Sequence, residues 1–336
     1  MTRRNPLAVL AGACVKPLQR KTRLTDLGGL GQARLGREAR IARSLERVYH
    51  TGQDRIWDGK TVLAELVAKH GGVNVEEPYR SSLHAVLSAM VWGELAAWKV
   101  SSALAASLDF HEGRLAATSQ AHDEARHFFV LYDYLQLLGG EPTLAPKPAR
   151  RVLEKVIDAD SLAKKLVGMQ LLVEPVALTL FTVMRRSEVC PVLSELLPYL
   201  EQDEARHVNV GTHLLPSLIR EMGAVEALDY WAYQGRLFQL EIAGLQQLEP
   251  HIAVLGCEIR DVFRLGMGKQ LGAARMVTDQ LGSRSQVAID VLRRSMEFTQ
   301  AWRFPEGGTE AGWFDRLRSG AKAAGTRAMP MEMVSS

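Results

Sequence analysis

The chain is poor in cysteine, and the three cysteines that it has lie far apart. Cys14, Cys190 and Cys257 form neither the paired spacing of a thiolate metal site nor the framework of a disulfide-stapled domain. These two classes of protein are therefore excluded. The same cysteine usage suits a reducing compartment, so we expect a cytoplasmic protein.

Long apolar runs and nucleotide-binding loops are also missing. No stretch approaches eighteen uninterrupted apolar residues, so we expect no membrane span. Gly266 and Gly268 lack the strand–turn–helix setting of a dinucleotide fingerprint, and there is no phosphate-binding loop of useful form. A nucleotide cofactor bound by either of these motifs is therefore excluded.

Positive charge is concentrated at one end of the chain. Residues 1–50 carry eleven Lys and Arg against three Asp and Glu, a net charge of +8. Residues 16–30 are typical of a flexible basic arm, which can meet an acidic partner or simply face solvent. There is no nucleic-acid motif, and we expect no nucleic-acid partner. The region around Leu7 to Cys14 resembles an export signal only faintly, since it has no clear cleavage site.

The chain contains the pentapeptide Asp-Glu-Ala-Arg-His twice, at 123–127 and at 203–207. Each copy holds a Glu-x-x-His pair, Glu124 with His127 and Glu204 with His207. Three helical residues turn the chain through about 300°, so the carboxylate and the imidazole of each pair leave the same side of a helix. The two side chains of each pair are thus placed to bind the same ion or molecule.

A further glutamate precedes each pair by thirty residues, Glu94 before Glu124 and Glu174 before Glu204. Apolar residues recur every three or four positions around all four carboxylates, which puts them on the stripes that face a core. About fourteen residues down one helix and fourteen up the next cover roughly 21 Å each way. Two helical hairpins packed face to face would therefore bring the four Glu and two His together.

The negative charges of the four glutamates indicate that cations lie among them. Four ionised carboxylates inside an apolar bundle are prohibitively costly unless they are neutralised, and two divalent cations supply the four positive charges needed. Oxygen-rich ligation with one imidazole per metal suits iron or manganese better than zinc. We expect two Fe ions, with a Mn/Fe pair as the other option.

The two Asp-Glu-x-Arg-His motifs and their spacing make residues 78–222 resemble the ferritin-like di-iron carboxylate superfamily. The resemblance is to its oxygen-activating branch, which contains multicomponent monooxygenases, acyl carrier protein desaturases and ribonucleotide reductase small subunits. It implies an all-α protein, a ferritin-like four-helix bundle with additional N- and C-terminal helices. The metal ligands that it implies are Glu94, Glu124, His127, Glu174, Glu204 and His207.

The resemblance also implies roles around the ligands. Asp123 would orient His207, and Asp203 would orient His127. By position alone, Arg126 and Arg206 lie beside the ligands and either neutralise the two aspartates or are ordinary surface arginines. A substrate pocket between the helices should be apolar, and its candidate walls are Trp92, Ala97, Trp98, Phe128, Leu178 and Phe181.

These features predict an oxygen-dependent non-haem di-iron oxidoreductase, a hydroxylase or monooxygenase of a small organic substrate, with O2 as co-substrate. Its partners would be a separate electron-donor protein and, as one option, a second copy in a homodimer. The alternatives are a ferritin- or rubrerythrin-like iron-storage protein and a ribonucleotide reductase small-subunit-like oxidase. Leu131 stands where the latter often has a radical tyrosine, and Leu200 stands where N-oxygenases add a histidine ligand.

The expected organisation has four parts. Residues 1–77 form a basic arm with short helices, and 78–222 form the bundle, whose hairpins are separated by a proline-containing crossover. Residues 223–303 form accessory helices, and 304–336 form a flexible tail. Pro175 follows Glu174 directly and should bend or bulge its helix at the metal site.

Overall fold

The computed structural model describes residues 36–282, 285–305 and 311–325, which consist of helices and the loops between them, with no strand among them. Eleven helices follow one another along the described chain. They are α1 Gly36–Asp54, α2 Gly59–His70, α3 Tyr79–Ser107, α4 His111–Leu138, α5 Lys147–Ile157, α6 Leu162–Arg186, α7 Pro191–Glu221, α8 Ala224–Val254, α9 Ile259–Thr278, α10 Ser285–Arg303 and α11 Trp313–Gly325. The all-α prediction is confirmed. The basic arm at 16–30 lies outside the described residues.

Helices α3, α4, α6 and α7 form the bundle. The antiparallel pairs α3–α4 and α6–α7 are in contact, and α4 with α7 and α3 with α6 join the two hairpins. The predicted crossover between the hairpins contains a helix, α5, that the sequence reading did not anticipate. Its apolar face buries Val152, Leu153 and Val156 against the core, which stabilises this connection as a helix.

The helix ends follow local chemistry. Asp58 caps α2, since its carboxylate accepts a hydrogen bond from the backbone N–H of Thr61 at 2.6 Å. Gly71 ends the same helix with φ +70°, and Gly139 ends α4 with φ +114°. Both are left-handed conformations that glycine adopts without the steric cost of a Cβ atom.

The helix that carries Glu174 is irregular where a bulge was predicted. Residues Val167–Val173 form a π-helical segment inside α6, directly before Glu174 and Pro175. Proline has no N–H to donate to the carbonyl four residues earlier, and the backbone N–H of Glu174 bonds to Met169 O, five residues back. The predicted bulge at Pro175 is confirmed.

One helix, α6, is long and apolar enough to cross a membrane by length and composition alone. Inside the fold, 78% of its most apolar window is buried. It also carries Glu174 into the centre of the bundle. In this structure α6 is the third core helix of the bundle.

Two expectations for the C-terminal region need correction. The sequence predicts a helix over 224–249 that stops before Pro250, but α8 continues to Val254, because a proline in the last turn removes only one hydrogen bond. The segment 304–336, expected to be a flexible tail, contains α11. Trp313 packs edge-on against Trp302 of α10, with ring centroids 5.9 Å apart, and Gly320 lets α11 approach the ring of Phe298. This aromatic packing holds the helix in place, and the other domain boundaries stay predictions.

Gly211 of α7 offers a test of how tightly the bulged helix packs. A Cβ atom at this position would lie 2.7 Å from Gln170 Cβ in the π-helical segment. We predict that Gly211→Ala lowers the free energy of unfolding by about 1–3 kcal/mol, as overpacked cores do. Urea unfolding of the purified variant measures this change.

Gly235→Ala is the matched control, because a Cβ there meets no atom within 4 Å on the exposed side of α8. It should raise the unfolding free energy by about 0.5–1 kcal/mol through helix propensity. An equal increase in the free energy of unfolding for both variants would show that α7 and the π-helical segment are not tightly packed.

Candidate metal centre

The bundle brings all six predicted ligand residues to one place. Their ligand atoms form two groups, and within each group the atoms lie within 4.8 Å of one another. The first group is Glu94, Glu124, His127 and Glu204, and the second is Glu124, Glu174, Glu204 and His207. All six residues are at most 3% exposed. Because Glu124 and Glu204 belong to both groups, the cluster can hold two ions that share two carboxylates.

The helices place the two imidazoles alike. His127 Nδ1 lies 3.0 Å from Glu204 Oε1 and 3.5 Å from Glu94 Oε2. His207 Nδ1 lies 3.0 Å from Glu124 Oε1 and 3.3 Å from Glu204 Oε2. Both rings therefore present Nδ1 to the carboxylates and direct Nε2 away from them.

An aspartate lies behind each imidazole. Asp203 Oδ2 is 3.1 Å from His127 Nε2, and Asp123 Oδ2 is 3.3 Å from His207 Nε2. These are the crossed pairs that the family resemblance implied. A carboxylate on the second ring nitrogen fixes the tautomer and the orientation of a metal-binding histidine.

Two arginines join these aspartates into a buried belt. Arg126 Nη2 donates to Asp123 at 2.6 Å and to Asp203 at 2.8 Å. Arg206 Nη2 donates to the same two residues at 2.6 Å and 2.8 Å. Two positive and two negative charges therefore cancel within the belt. The charge of the four glutamates is left to be neutralised by something else.

Trp57, in the turn before α2, also belongs to the site, and the sequence reading missed it. Its Nε1 donates to Asp203 Oδ2 at 2.9 Å. Its ring lies under the guanidinium of Arg126, 4.7 Å from the centroid, and stacks on His127 at 6.2 Å. Trp57 stands outside the bundle and outside the repeated motif, so no spacing in the sequence points to it.

A pair of buried amides was missed as well. Gln120 Nε2 donates to Glu124 at 2.9 Å and to Glu174 at 3.1 Å, and Gln170 Nε2 donates to Gln120 Oε1 at 3.3 Å. Each glutamine stands four residues before a ligand glutamate, on the same helical face. That spacing is the sequence signal that would have found them.

Burial and mutual repulsion control the protons of the cluster. Burial, together with the charge of Glu204, raises the pKa of Glu94 to about 8, and the same two causes raise the pKa of Glu174 well above its usual range. Burial opposes ionisation of Glu204 too, but a hydrogen bond from Glu174 and the charge of His207 outweigh it and lower the pKa. Without metal, the centre therefore keeps protons on some of its ligands.

The donor set fits a pair of divalent cations. Glu124 Oε2 is fully buried and has no hydrogen-bond partner. Such an orphaned carboxylate oxygen is costly in an apolar core, and a metal ion is the partner that satisfies it. Four carboxylates and two imidazoles on four helices are the ligands of a ferritin-like di-metal bundle, so the fold and donor set confirm the superfamily resemblance.

An apolar cavity of about 90 Å³ reaches the centre from one side. Glu94 and Glu174 line its inner end, and Met90, Ala97 and Leu180 are among its walls. The predicted walls Trp92, Trp98, Phe128, Leu178 and Phe181 do not line it, and only Ala97 does.

The reason for this difference is helical rotation. Trp98 follows the cavity residue Ala97 by one position, and Phe128 follows the ligand residue His127 by one position. One position along a helix turns the side chain by about 100°. Trp98 packs beside Phe128 instead, with ring centroids 6.2 Å apart, and Phe181 is buried in the core two turns past Glu174.

No family model matches this chain, and no curated protein matches it. Among solved structures, it is similar to an R2-like ligand-binding oxidase mutant with an aerobically reconstituted Mn/Fe cofactor, at 17% identity over 82% of this chain and 92% of that chain, with a TM-score of 0.45. An R2-like ligand-binding oxidase with an aerobically reconstituted metal cofactor after photoconversion gives the same values. Likeness at this level says nothing about chemistry.

The belt predicts the effect of changing Asp203. In Asp203→Asn, His127 loses its anionic partner and the two arginines share one aspartate. We expect metal affinity to fall about 10–100-fold, the usual result of removing such a partner. Titration of the metal-free protein with Mn²⁺ or Fe²⁺ under argon, against a competing chelator, measures the change.

Asp133→Asn on the exposed face of α4 is the control and should bind metal like the unaltered protein. Wild-type affinity in Asp203→Asn would show that the belt does not support the ligands.

Metal affinity should also depend on pH. Below pH 8 the metal-free centre carries the proton of Glu94, and the raised pKa values of His127 and His207 keep further protons there. A metal ion must displace them, so affinity should rise by at least about tenfold per pH unit below pH 8 and less steeply above it, once Glu94 has lost its proton. Chelator competition from pH 6.5 to 8.5 tests this, and a flat profile would contradict it.

Proposed function

We propose that this chain is an oxygen-dependent non-haem di-iron oxidoreductase, a hydroxylase or monooxygenase of a small organic substrate. The observation that carries the proposal is the contact between the two fused ligand groups and an apolar cavity, through Glu94 and Glu174. A site that only held metal would have no need of such a space. A Mn/Fe pair would fit the same oxygen-rich donors.

The chain's own residues have defined tasks in this proposal. When bound, a pair of iron ions supplies the redox chemistry needed to use O2. Glu124 and Glu204 belong to both ligand groups, so each would contribute to holding both ions. Asp123 and Asp203 keep the histidine rings oriented, and the apolar walls exclude water from the substrate.

Electrons must reach a centre that is almost completely buried. Trp57 is half-buried, and its indole, Asp203 and His127 form a continuous line of contacts from the surface to the ligands. Tyr199 lies against Trp57 with centroids 5.2 Å apart and is 40% exposed. We place the docking of a separate electron-donor protein at this surface. A homodimer and a cytoplasmic location stay predictions.

The iron-storage alternative is less well supported, because the chain adds helices α8 to α11 outside the bundle and keeps a cavity beside the ligands. A radical role like that of ribonucleotide reductase would need a tyrosine close to the ligands. Tyr134 is the buried tyrosine on that face of α4, but it lies two turns beyond His127.

Iron stoichiometry and O2 uptake test the proposed function together. The metal-free protein is loaded with Fe²⁺ under argon, freed of excess iron, and exposed to O2 with a chemical reductant. We predict two irons per chain and O2 consumption. Glu124→Ala should lose both ions, since Glu124 belongs to both ligand groups.

Glu65→Ala, an exposed residue of α2, is the control and should keep two irons. Hundreds of irons per assembly would favour an iron-storage function. Two irons per chain in Glu124→Ala would contradict the assignment of the metal centre.

A further inference from the structure

The cavity beside the metal centre has a second acidic group in its wall. Its lining comes from α3, α5, α6 and α8, and apart from Glu94 and Glu174 it includes one charged side chain, Glu241 of α8. Glu241 is 8% exposed and has no part in the ligand set. A carboxyl group in an apolar wall is costly, and nothing in the di-metal centre explains it.

Glu241 is only half satisfied. Its Oε2 accepts a hydrogen bond from Gln270 Nε2 at 2.9 Å, while its Oε1 is buried without a partner. Gln270 is itself held in place, because the same Nε2 lies 3.2 Å from the carbonyl oxygen of Leu172 in the π-helical segment. The carboxyl group is therefore fixed, with one oxygen left for a further donor.

We propose that Glu241 anchors the polar end of the substrate, and that the substrate is a small, chiefly apolar molecule with one hydrogen-bond donor, a hydroxyl or an amine. The apolar remainder of the molecule lies along the cavity towards Glu94 and Glu174. This assignment rests on the proposed function for the substrate role, whereas the binding site itself does not depend on it.

The charged residues in the cavity lining disfavour a substrate with an anionic end group. Its lining includes three carboxyl side chains and no Lys, Arg or His. A carboxylate or phosphate ligand would meet Glu241 without a compensating positive charge, which is unfavourable at this depth. A hydroxyl or ammonium group instead gives the unpartnered oxygen the hydrogen bond that it lacks.

Two helices approach each other closely in the part of the cavity beside Glu241. Gly244, one turn after Glu241, lies against Ala149 of α5, where an added Cβ would come within 3.2 Å of that residue. Both residues line the cavity, so α5 and α8 approach closely beside the anchor. The unbranched end of a molecule would fit this narrow part best.

Calorimetric titration of the metal-free protein with 1-hexanol, hexylamine and hexanoate tests the anchor; it is done at pH 9, because burial raises the pKa of Glu241 to about 8. We expect the alcohol or the amine to bind at least tenfold more tightly than hexanoate. Glu241→Leu should remove this preference, and Glu241→Gln, which keeps an oxygen acceptor but not the charge, should keep the alcohol and weaken the amine. If hexylamine binds more tightly than 1-hexanol, the hydrogen-bond donor of the substrate is cationic. If 1-hexanol binds equally tightly or more tightly, that donor is neutral.

Glu249→Gln, an exposed glutamate on the same helix, is the matched control and should change nothing. Hexanoate binding as tight as hexanol, or a preference that survives in Glu241→Leu, would overturn the proposal. Glu241→Met, which has a similar length and no oxygen acceptor, decides it if the leucine variant does not fold. Because these titrations need neither iron nor O2, a failure here is distinct from a failure of the iron-loading experiment.

Discussion

Four carboxylates buried at one point are the constraint on which this structure depends. The belt around them, two aspartates and two arginines, is neutral in itself and contributes no net charge to the glutamates. The unpartnered oxygen of Glu124 shows that the polypeptide alone does not satisfy its own centre. Two divalent cations supply both the missing charge and the missing ligand bonds, so the bundle is built around a space for metal.

The two helical hairpins meet that constraint in nearly the same way. Each supplies a lone glutamate and an Asp-Glu-Ala-Arg-His motif, and each aspartate supports the histidine of the other hairpin. Two features break this likeness. Both concern the α6–α7 hairpin: Trp57 donates to Asp203, and the π-helical segment precedes Glu174. These are also the places where the centre meets its surroundings, with Trp57 reaching towards the surface and α6 lining the cavity.

Much of this could be predicted from the sequence, because the periodicity of apolar residues shows which side of a helix faces the core. It identified the bundle helices, the bulge at Pro175 and the six residues now found together. It could not identify Trp57, whose position depends on a turn outside the bundle. The periodicity also could not show that Ala97, and not Trp98, lines the cavity. Neighbouring positions of a helix point in different directions, and this rotation decides whether a side chain lines the cavity or packs in the core. Glu241 was equally out of reach, because its helix is placed by long-range packing.

The arrangement of the histidines explains why the cavity lies where it does. Both imidazoles come from α4 and α7, and the Asp–Arg belt closes the bundle behind them. Helices α3 and α6 contribute a single glutamate each and no imidazole, so the centre carries fewer protein donors on their side. That is the side on which the cavity meets Glu94 and Glu174. The cavity therefore meets the centre on the side with fewer protein donors, while Trp57 contacts Asp203 on the side of the belt. The two sides of the centre differ because only α4 and α7 carry its histidines.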